Sequence, residues 1–318
     1  MPVLQLTDVH VDIGSAHILR GVSLQVDPGE TLGIVGESGC GKSMTGLAAM
    51  GMLPKGAKVR GSIVIDGAEA TAFSPRDWLG VRGQSISLVM QDPFTSLNPV
   101  MRVGDQIAEV YRVHGHLSKG EAWRRSVDML SKVGVPAPES SARKYPHQMS
   151  GGQRQRVVIA IAFASRPKVL IADEPTTALD VTLQAQVLHL IRDMQRDLRT
   201  AVVLISHDIG VIGSVCDRVA VFYAGRVVEE GPVAMVLNAP KHPYTQALLD
   251  AMPRPGVERL NVIGGQPPRL DKPIVGCPFA PRCSHVMEQC TIEDPPNVMI
   301  GDRRSRCWLA DETLLELK

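Results

Sequence analysis

The stretch TLGIVGESGCGKS, Thr31 to Ser43, limits what this chain can fold into more than any other. A short, continuously apolar run leads into a glycine-rich octet in which Gly36, Gly41, Lys42 and Ser43 fill every fixed position of the pattern G-x-x-x-x-G-K-[ST]. Such a run predicts a buried strand of the parallel type, and the following KSMTGLAAMGML predicts a helix, so the octet is a loop between strand and helix. Glycines there let backbone N–H groups wrap phosphates, and the helix N-terminus favours their charge. Lys42 is placed to reach the β- and γ-phosphates, and Ser43 offers a hydroxyl to Mg²⁺. The candidate phosphate-binding residues are Gly36, Glu37, Ser38, Gly39, Cys40, Gly41, Lys42 and Ser43.

The rest of the chain builds around this unit. VLQLTDVHVD and GVSLQVDPGE alternate as half-exposed strands and predict a β-rich N-terminal layer. From about Thr95 to Ser165 the period is helical, with VGDQIAEVYRV, EAWRRSVDMLSKVG and QRQRVVIAIAFAS as segments of an inserted helical subdomain. KVLIAD and AVVLIS return the chain to strand, and RVAVFYAGRVVEEGP predicts a hairpin turning at Ala224-Gly225. Beyond residue 232 the texture changes, because 12 of the 23 prolines fall between Pro232 and Pro296. Proline interrupts helices and central strands, so a largely irregular region with little core is expected there.

KVLIADEP supplies the second half of a phosphate-hydrolysing site. The strand ends in Asp173, suited to Mg²⁺ through its water shell, and Glu174 follows as a candidate base for the water that attacks the γ-phosphate. Between the two halves stands YPHQMSGGQRQR. A serine and two glycines opening a helix make a second anion site, Ser150, Gly151, Gly152 and Gln153, for which a chain already holding phosphate has no internal use. Two subunits facing head to tail would use it.

These residues resemble the ATP-binding-cassette family, whose signature L-S-G-G-Q is matched here except that Met149 replaces the leucine. The resemblance continues with Gln91 in LVMQDP as the Q-loop glutamine, TTALD ending in Asp180 as the D-loop, and ISHD with His207 as the switch loop. It implies an α/β fold of P-loop NTPase type: a RecA-like core with an N-terminal antiparallel β layer and an inserted helical subdomain at about 95–165. It also implies ATP bound between Lys42 of one subunit and Ser150 of another, with Glu174, His207 and Lys42 catalytic and Ser43, Gln91 and Asp173 serving Mg²⁺. The adenine-stacking place of the family, often aromatic, falls here on Ile13.

KHPYTQALL, GGQPPRL and GCPFAPRC resemble the C-terminal extension of ATP-binding subunits from bacterial oligopeptide and dipeptide importers. The expected division is a nucleotide-binding domain at 1–235 and an extension at 236–318. The resemblance implies ATP hydrolysis driving peptide import. Its partners would be two transmembrane permease subunits, a second cassette subunit (a related heteromer rather than a copy) and, indirectly, a solute-binding protein. An importer ATPase for nickel or another solute is the alternative within the class, and a soluble cassette ATPase with a zinc module the alternative outside it. No segment is apolar for long enough to span a bilayer, and 34 basic against 33 acidic residues give no pull toward nucleic acid. A peripheral place on the cytoplasmic face of the inner membrane is expected.

In a reducing compartment clustered cysteines more often hold metal than disulfides. Cys277, Cys283, Cys290 and Cys307 offer four soft ligands in a region needing a staple. Their separations, C-x5-C-x6-C-x16-C, choose neither zinc nor iron–sulfur. The importer resemblance implies a [4Fe–4S] cluster, with Zn²⁺ as the alternative.

Overall fold

The computed structural model describes residues 1–177, 179–252 and 263–310. Among these residues the strands are, in chain order, β1 (Leu4–Ile13), β2 (Ala16–Val26), β3 (Thr31–Val35), β4 (Lys58–Ile65), β5 (Ala68–Glu69), β6 (Ile86–Val89), β7 (Val169–Asp173), β8 (Ala201–Ser206), β9 (Arg218–Tyr223), β10 (Arg226–Pro232), β11 (Val298–Ile300) and β12 (Arg303–Ser305). The chain divides into two compact units, one of Met1–Leu4, Val26–Glu30 and Val64–Val203, the other of Gln5–Gln25, Thr31–Ile63 and Leu204–Lys318. No described helix is long and apolar enough to cross a membrane.

The second unit carries the phosphate loop. Its N-terminal layer has the order β2-β1-β4, with β1 and β2 joined by only Gly14 and Ser15 and therefore antiparallel. Along β1 the buried set runs Leu4, Leu6, then Val9, Val11, a slip of one residue at Asp8, whose φ is 50°. A bulge there keeps apolar side chains on the same face after the alternation breaks. In the larger sheet β3 lies parallel to β9, Leu32 opposite Arg218 and Val35 opposite Val221. Every residue of β3 is buried, as the unbroken apolar run predicts.

The β9–β10 hairpin turns at Ala224-Gly225 with φ of 48° and 77°, the positive pair that a two-residue type I′ turn requires. The sheet does not end at β10. β12 pairs antiparallel with it, Glu229 opposite Ser305 and Glu230 opposite Arg304, and β11 pairs in turn with β12. Glu230, 4 % exposed, is gripped by Arg218 from β9 and Arg304 from β12. Two short strands thus tie the proline-rich region to the sheet, and among its described residues the helices Val233–Asn238, Pro243–Asp250 and Glu288–Ile292 make it more regular than its prolines led one to expect, Pro243 standing in a first turn where it costs no hydrogen bond.

In the first unit β6 and β7 are parallel neighbours, Ile86 opposite Val169 and Val89 opposite Ala172. The helices expected between Thr95 and Ser165 are Val103–Gly115, Lys119–Lys132 and Gly151–Ala164, the first two packed on the third. The helix Gly151–Ala164 buries Val157, Val158, Ile159, Ala160, Phe163 and Ala164, residues on all its sides, as a central helix must.

Candidate nucleotide site and the cysteine cavity

In the second unit the residues Gly36 to Ser43 leave β3 and enter the helix Lys42–Ala49. A Cβ on Gly36 would stand 2.3 Å from the Phe222 carbonyl oxygen, so the first loop position must be glycine. The loop is held from behind by the hairpin tip, where the Gly225 N–H donates to the Cys40 carbonyl at 2.9 Å. Lys42 is 6 % exposed and its Nζ donates to the carbonyl oxygens of Gly36 (2.8 Å) and Glu37 (3.0 Å). The helix begins after Gly41 in the left-handed region (φ 106°), with no side chain capping it and no acidic residue in its first turn. This leaves a helix N-terminus whose dipole favours an anion. Ser38, Gly39 and Ser43 are exposed around it.

Cys40 is buried beneath the loop, and burial pushes its thiol above the ordinary value. Ile13 ends β1 at the first hairpin turn, half-buried. His207 is exposed directly after β8, ahead of Asp208, whose carboxylate accepts from Gly210 (2.8 Å) and Val211 (3.3 Å) and caps the helix Ile209–Val215.

The first unit holds the carboxylates. Asp173 ends β7, and Glu174 follows with φ 46°, a left-handed conformation uncommon for a residue with a side chain and concentrated at functional sites. The Gln91 side-chain amide donates to Glu174 Oε2 at 3.3 Å, and the Thr177 hydroxyl donates to the same oxygen at 2.7 Å. Gln91 and Glu174 are thus brought together, each at the end of one of two adjacent parallel strands.

Ser150 is the N-cap of the helix Gly151–Ala164. It forms a capping box in which its hydroxyl accepts from the Gln153 N–H (3.3 Å) and its own N–H donates to Gln153 Oε1 (3.2 Å). A Cβ on Gly151 would meet nothing within 4 Å, whereas Gly152 faces Leu183. Met149, in place of the usual leucine, is 5 % exposed and fills the same apolar role. Asp180 caps the helix Val181–Leu198, accepting from the Leu183 N–H at 2.9 Å. Ala178, within the TTALD stretch, lies outside the described residues.

None of the six cysteines is in a disulfide. Cys277, Cys283, Cys290 and Cys307 line one small cavity together with His242 and Phe279, and the Cys277 N–H donates to the Cys290 carbonyl at 2.8 Å. Burial raises the thiols of Cys277, Cys283 and Cys307, the last pushed up to about 11, and the proximity of the other cysteines raises them further. This cavity is where the sequence leads one to expect a [4Fe–4S] or zinc centre. Among the described residues no three or more His, Cys, Asp or Glu side chains form a group that could hold a metal ion. For Cys277, Cys283 and Cys307 this buried setting favours the thiol over the thiolate.

Two residues of the proline-rich region reach the phosphate loop, and motif reading did not find them. The Tyr244 hydroxyl accepts from the Glu37 N–H at 3.0 Å, and the Arg282 guanidinium pairs with the Glu37 carboxylate at 2.7 and 2.8 Å. The stretch HPY was visible as a helix start with proline in its first turn. His242 Nδ1 does accept from the Tyr244 N–H at 3.0 Å to cap that helix, but nothing local in the sequence shows where the tyrosine points.

A family model described as ABC transporter matches residues 19–177, and one described as Oligopeptide/dipeptide transporter, C-terminal region, matches residues 228–290. The oligopeptide transport ATP-binding protein OppD of Salmonella typhimurium is 45% identical over 98% of this chain and 95% of its own length. OppD of Bacillus subtilis is 47% identical over 93% and 84%, and the dipeptide transport ATP-binding protein DppD of Bacillus subtilis is 46% identical over 98% and 95%. Among solved structures, the dimeric post-hydrolysis state of the ATP-binding cassette MJ0796 bound to ADP and Pi aligns with a TM-score of 0.63 at 28% identity, over 72% of this chain and 98% of that one. The chain belongs to the ABC transporter family and, within it, to the oligopeptide and dipeptide transport ATP-binding proteins.

Proposed function

We propose that this chain is the ATP-hydrolysing subunit that powers a peptide importer. One observation carries the reading: an intact phosphate loop and a carboxylate following β7 occur in one chain with an extension matched to the oligopeptide/dipeptide transporter region. In this reading residues 1–235 are the cassette and residues 236–318 the extension.

Gly36 to Ser43 bind the ATP phosphates, with Lys42 on the β- and γ-phosphates, and Ile13 packs on adenine. Glu174 accepts the proton of the attacking water. Gln91 and Thr177 orient its carboxylate, an arrangement consistent with a positioned base. His207 contacts the γ-phosphate. Ser150 to Gln153 and Asp180 serve the nucleotide held by a second cassette subunit, a related heteromer. The dimeric state of the neighbour MJ0796 supports a two-cassette arrangement. The donor set for Mg²⁺, an exposed Ser43 hydroxyl, the Asp173 carboxylate and the Gln91 amide, is hard oxygen chemistry and fits that ion. When bound, Mg²⁺ neutralises phosphate charge.

Four thiols lining one cavity are a soft donor set, and we assign them to a metal centre, [4Fe–4S] ahead of Zn²⁺. Occupation requires the thiols to lose their protons. Partners are two membrane permeases, and a solute-binding protein indirectly. Exposed Leu79, Phe94, Val100 and Val113 of the first unit offer apolar contact, and the cassette would sit peripherally on the cytoplasmic face of the inner membrane. Purification of the native complex tests the whole reading. Co-isolated permeases, a second cassette and peptide-stimulated ATP hydrolysis are expected, together with about four irons per chain under anaerobic conditions. ATPase activity stimulated by nucleic acid, with no membrane partner, would overturn it.

A further inference from the structure

Arg282 reaches the phosphate loop with every one of its donors satisfied. Its side chain is 4 % exposed. Nη1 donates to Glu37 Oε2 (2.7 Å) and the Tyr223 hydroxyl (3.2 Å), Nη2 to Glu37 Oε1 (2.8 Å) and the Ile263 carbonyl (3.3 Å), and Nε to the Gly264 carbonyl (2.8 Å). Five N–H donors thus meet five acceptors, the full capacity of a guanidinium. The fit is local and close: a Cβ on Gly265 would stand 3.2 Å from Arg282 Cγ. Phe279, Tyr223 and Tyr244 form an aromatic cluster beside it, with ring centroids 4.5 to 5.3 Å apart.

The object of this arrangement is Glu37. Arg282 takes both of its carboxylate oxygens, the Tyr244 hydroxyl takes its N–H, and its carbonyl is one of the two that hold Lys42 Nζ. A carboxylate at the second position of a phosphate-binding loop carries the same sign as a polyphosphate and competes with it for the lysine ammonium. Left unpaired, it would oppose nucleotide binding. A bidentate guanidinium removes that opposition and fixes the backbone on which Lys42 rests.

We propose that Arg282 is a positioning residue of the nucleotide site, which by neutralising Glu37 and pinning it makes ATP affinity depend on the C-terminal extension. The proposal rests on the reading of Gly36–Ser43 as the ATP phosphate loop. It needs no contact between Arg282 and nucleotide.

The test is a charge cycle on the full chain, read as the ATP dissociation constant and, in the assembled transporter, as KM against kcat. Arg282→Ala weakens ATP binding on the order of tenfold or more, because it leaves Glu37 charged and unpaired. Arg282→Lys, with its charge retained and its fork lost, falls between. Adding Glu37→Gln to Arg282→Ala recovers most of the lost affinity, and KM follows the same order while kcat stays within about twofold. A side chain that merely docks the extension would give the opposite, a double variant at least as weak as Arg282→Ala, and that result overturns the proposal, as does an Arg282→Ala affinity within about twofold of the parent. If Arg282→Ala does not fold, Arg282→Gln, which keeps the bulk, takes its place in the cycle with the same criteria. Lys42→Ala separates the two readings. Native ATP affinity there sinks the loop assignment, whereas loss there with native affinity in Arg282→Ala sinks the role of Arg282 alone.

Discussion

Gln91 Nε2 lies 3.3 Å from Glu174 Oε2, although 83 residues separate them in the chain. β6 and β7 run parallel and in register, so the residues just past their C-terminal ends meet. Open parallel sheets place ligand chemistry at such strand ends. A second donor, the Thr177 hydroxyl, fixes the same oxygen, and the left-handed backbone at Glu174 turns the chain sharply after the strand. The carboxylate is therefore aimed by three independent constraints.

Glu174→Gln should keep ATP binding and lower hydrolysis by roughly two orders of magnitude or more, the scale of a lost general base. Phosphate release measured in the assembled transporter decides this. Near-native turnover would remove Glu174 from the base role.

Ser150 caps the helix Gly151–Ala164 within its own subunit, and on the proposed reading it also serves the partner's nucleotide. Asparagine caps as well as serine does, so Ser150→Asn should melt with the parent while Ser150→Ala loses about 1 kcal/mol. Hydrolysis should fall in both variants. Thermal denaturation and ATP turnover run in parallel separate the cap from the site, and full activity in Ser150→Asn would leave Ser150 a cap only.

The loop glycines are not equivalent. At Gly36 a Cβ would sit 2.3 Å from a carbonyl oxygen, but at Gly39 it would meet nothing within 4 Å, and only the φ of 76° opposes a side chain. Gly36→Ala should abolish measurable ATP binding. Gly39→Ala should cost on the order of 1 kcal/mol of stability, the usual penalty for a left-handed non-glycine residue. Equal ATP affinities for the two variants in titration calorimetry would contradict the clash argument.

If the half-buried Ile13 packs on adenine as proposed, the contact carries no hydrogen bonds, and ATP and GTP should bind within about tenfold of each other. Ile13→Tyr should tighten both modestly by stacking. A strong preference for ATP that survives Ile13→Ala in competition binding would place the base elsewhere.

Features fixed by short-range chemistry were legible in the sequence: the octet from Gly36 to Ser43 between strand and helix, the three helices after Thr95, and the turn at Ala224-Gly225. Each depends on residues a few positions apart. The slip at Asp8 was half legible: the adjacent polar pair Thr7-Asp8 breaks the alternation of VLQLTDVHVD, but only the backbone shows that a bulge there keeps the strand continuous. Nor was the pairing of Glu37 with Arg282, which spans 245 residues and depends on how a proline-rich segment with no period is routed. The cysteines fall between these cases. Their number and crowding pointed to one site and they line one cavity, whereas their spacing chooses no metal. For Ser150 and Asp180 the sequence indicated function, and the structure adds a local duty, since both cap helices.

The pairing of β12 with β10 bears on how portable this ATPase is. A chain cut at residue 235 would keep every nucleotide motif yet bare the backbone edge of β10 and leave Glu230 with one arginine instead of two. An uncovered strand edge recruits other chains. Swapping the tail for that of a more distant relative would require a donor strand of matching register, so engine and tail should be exchanged between transporters as one cartridge.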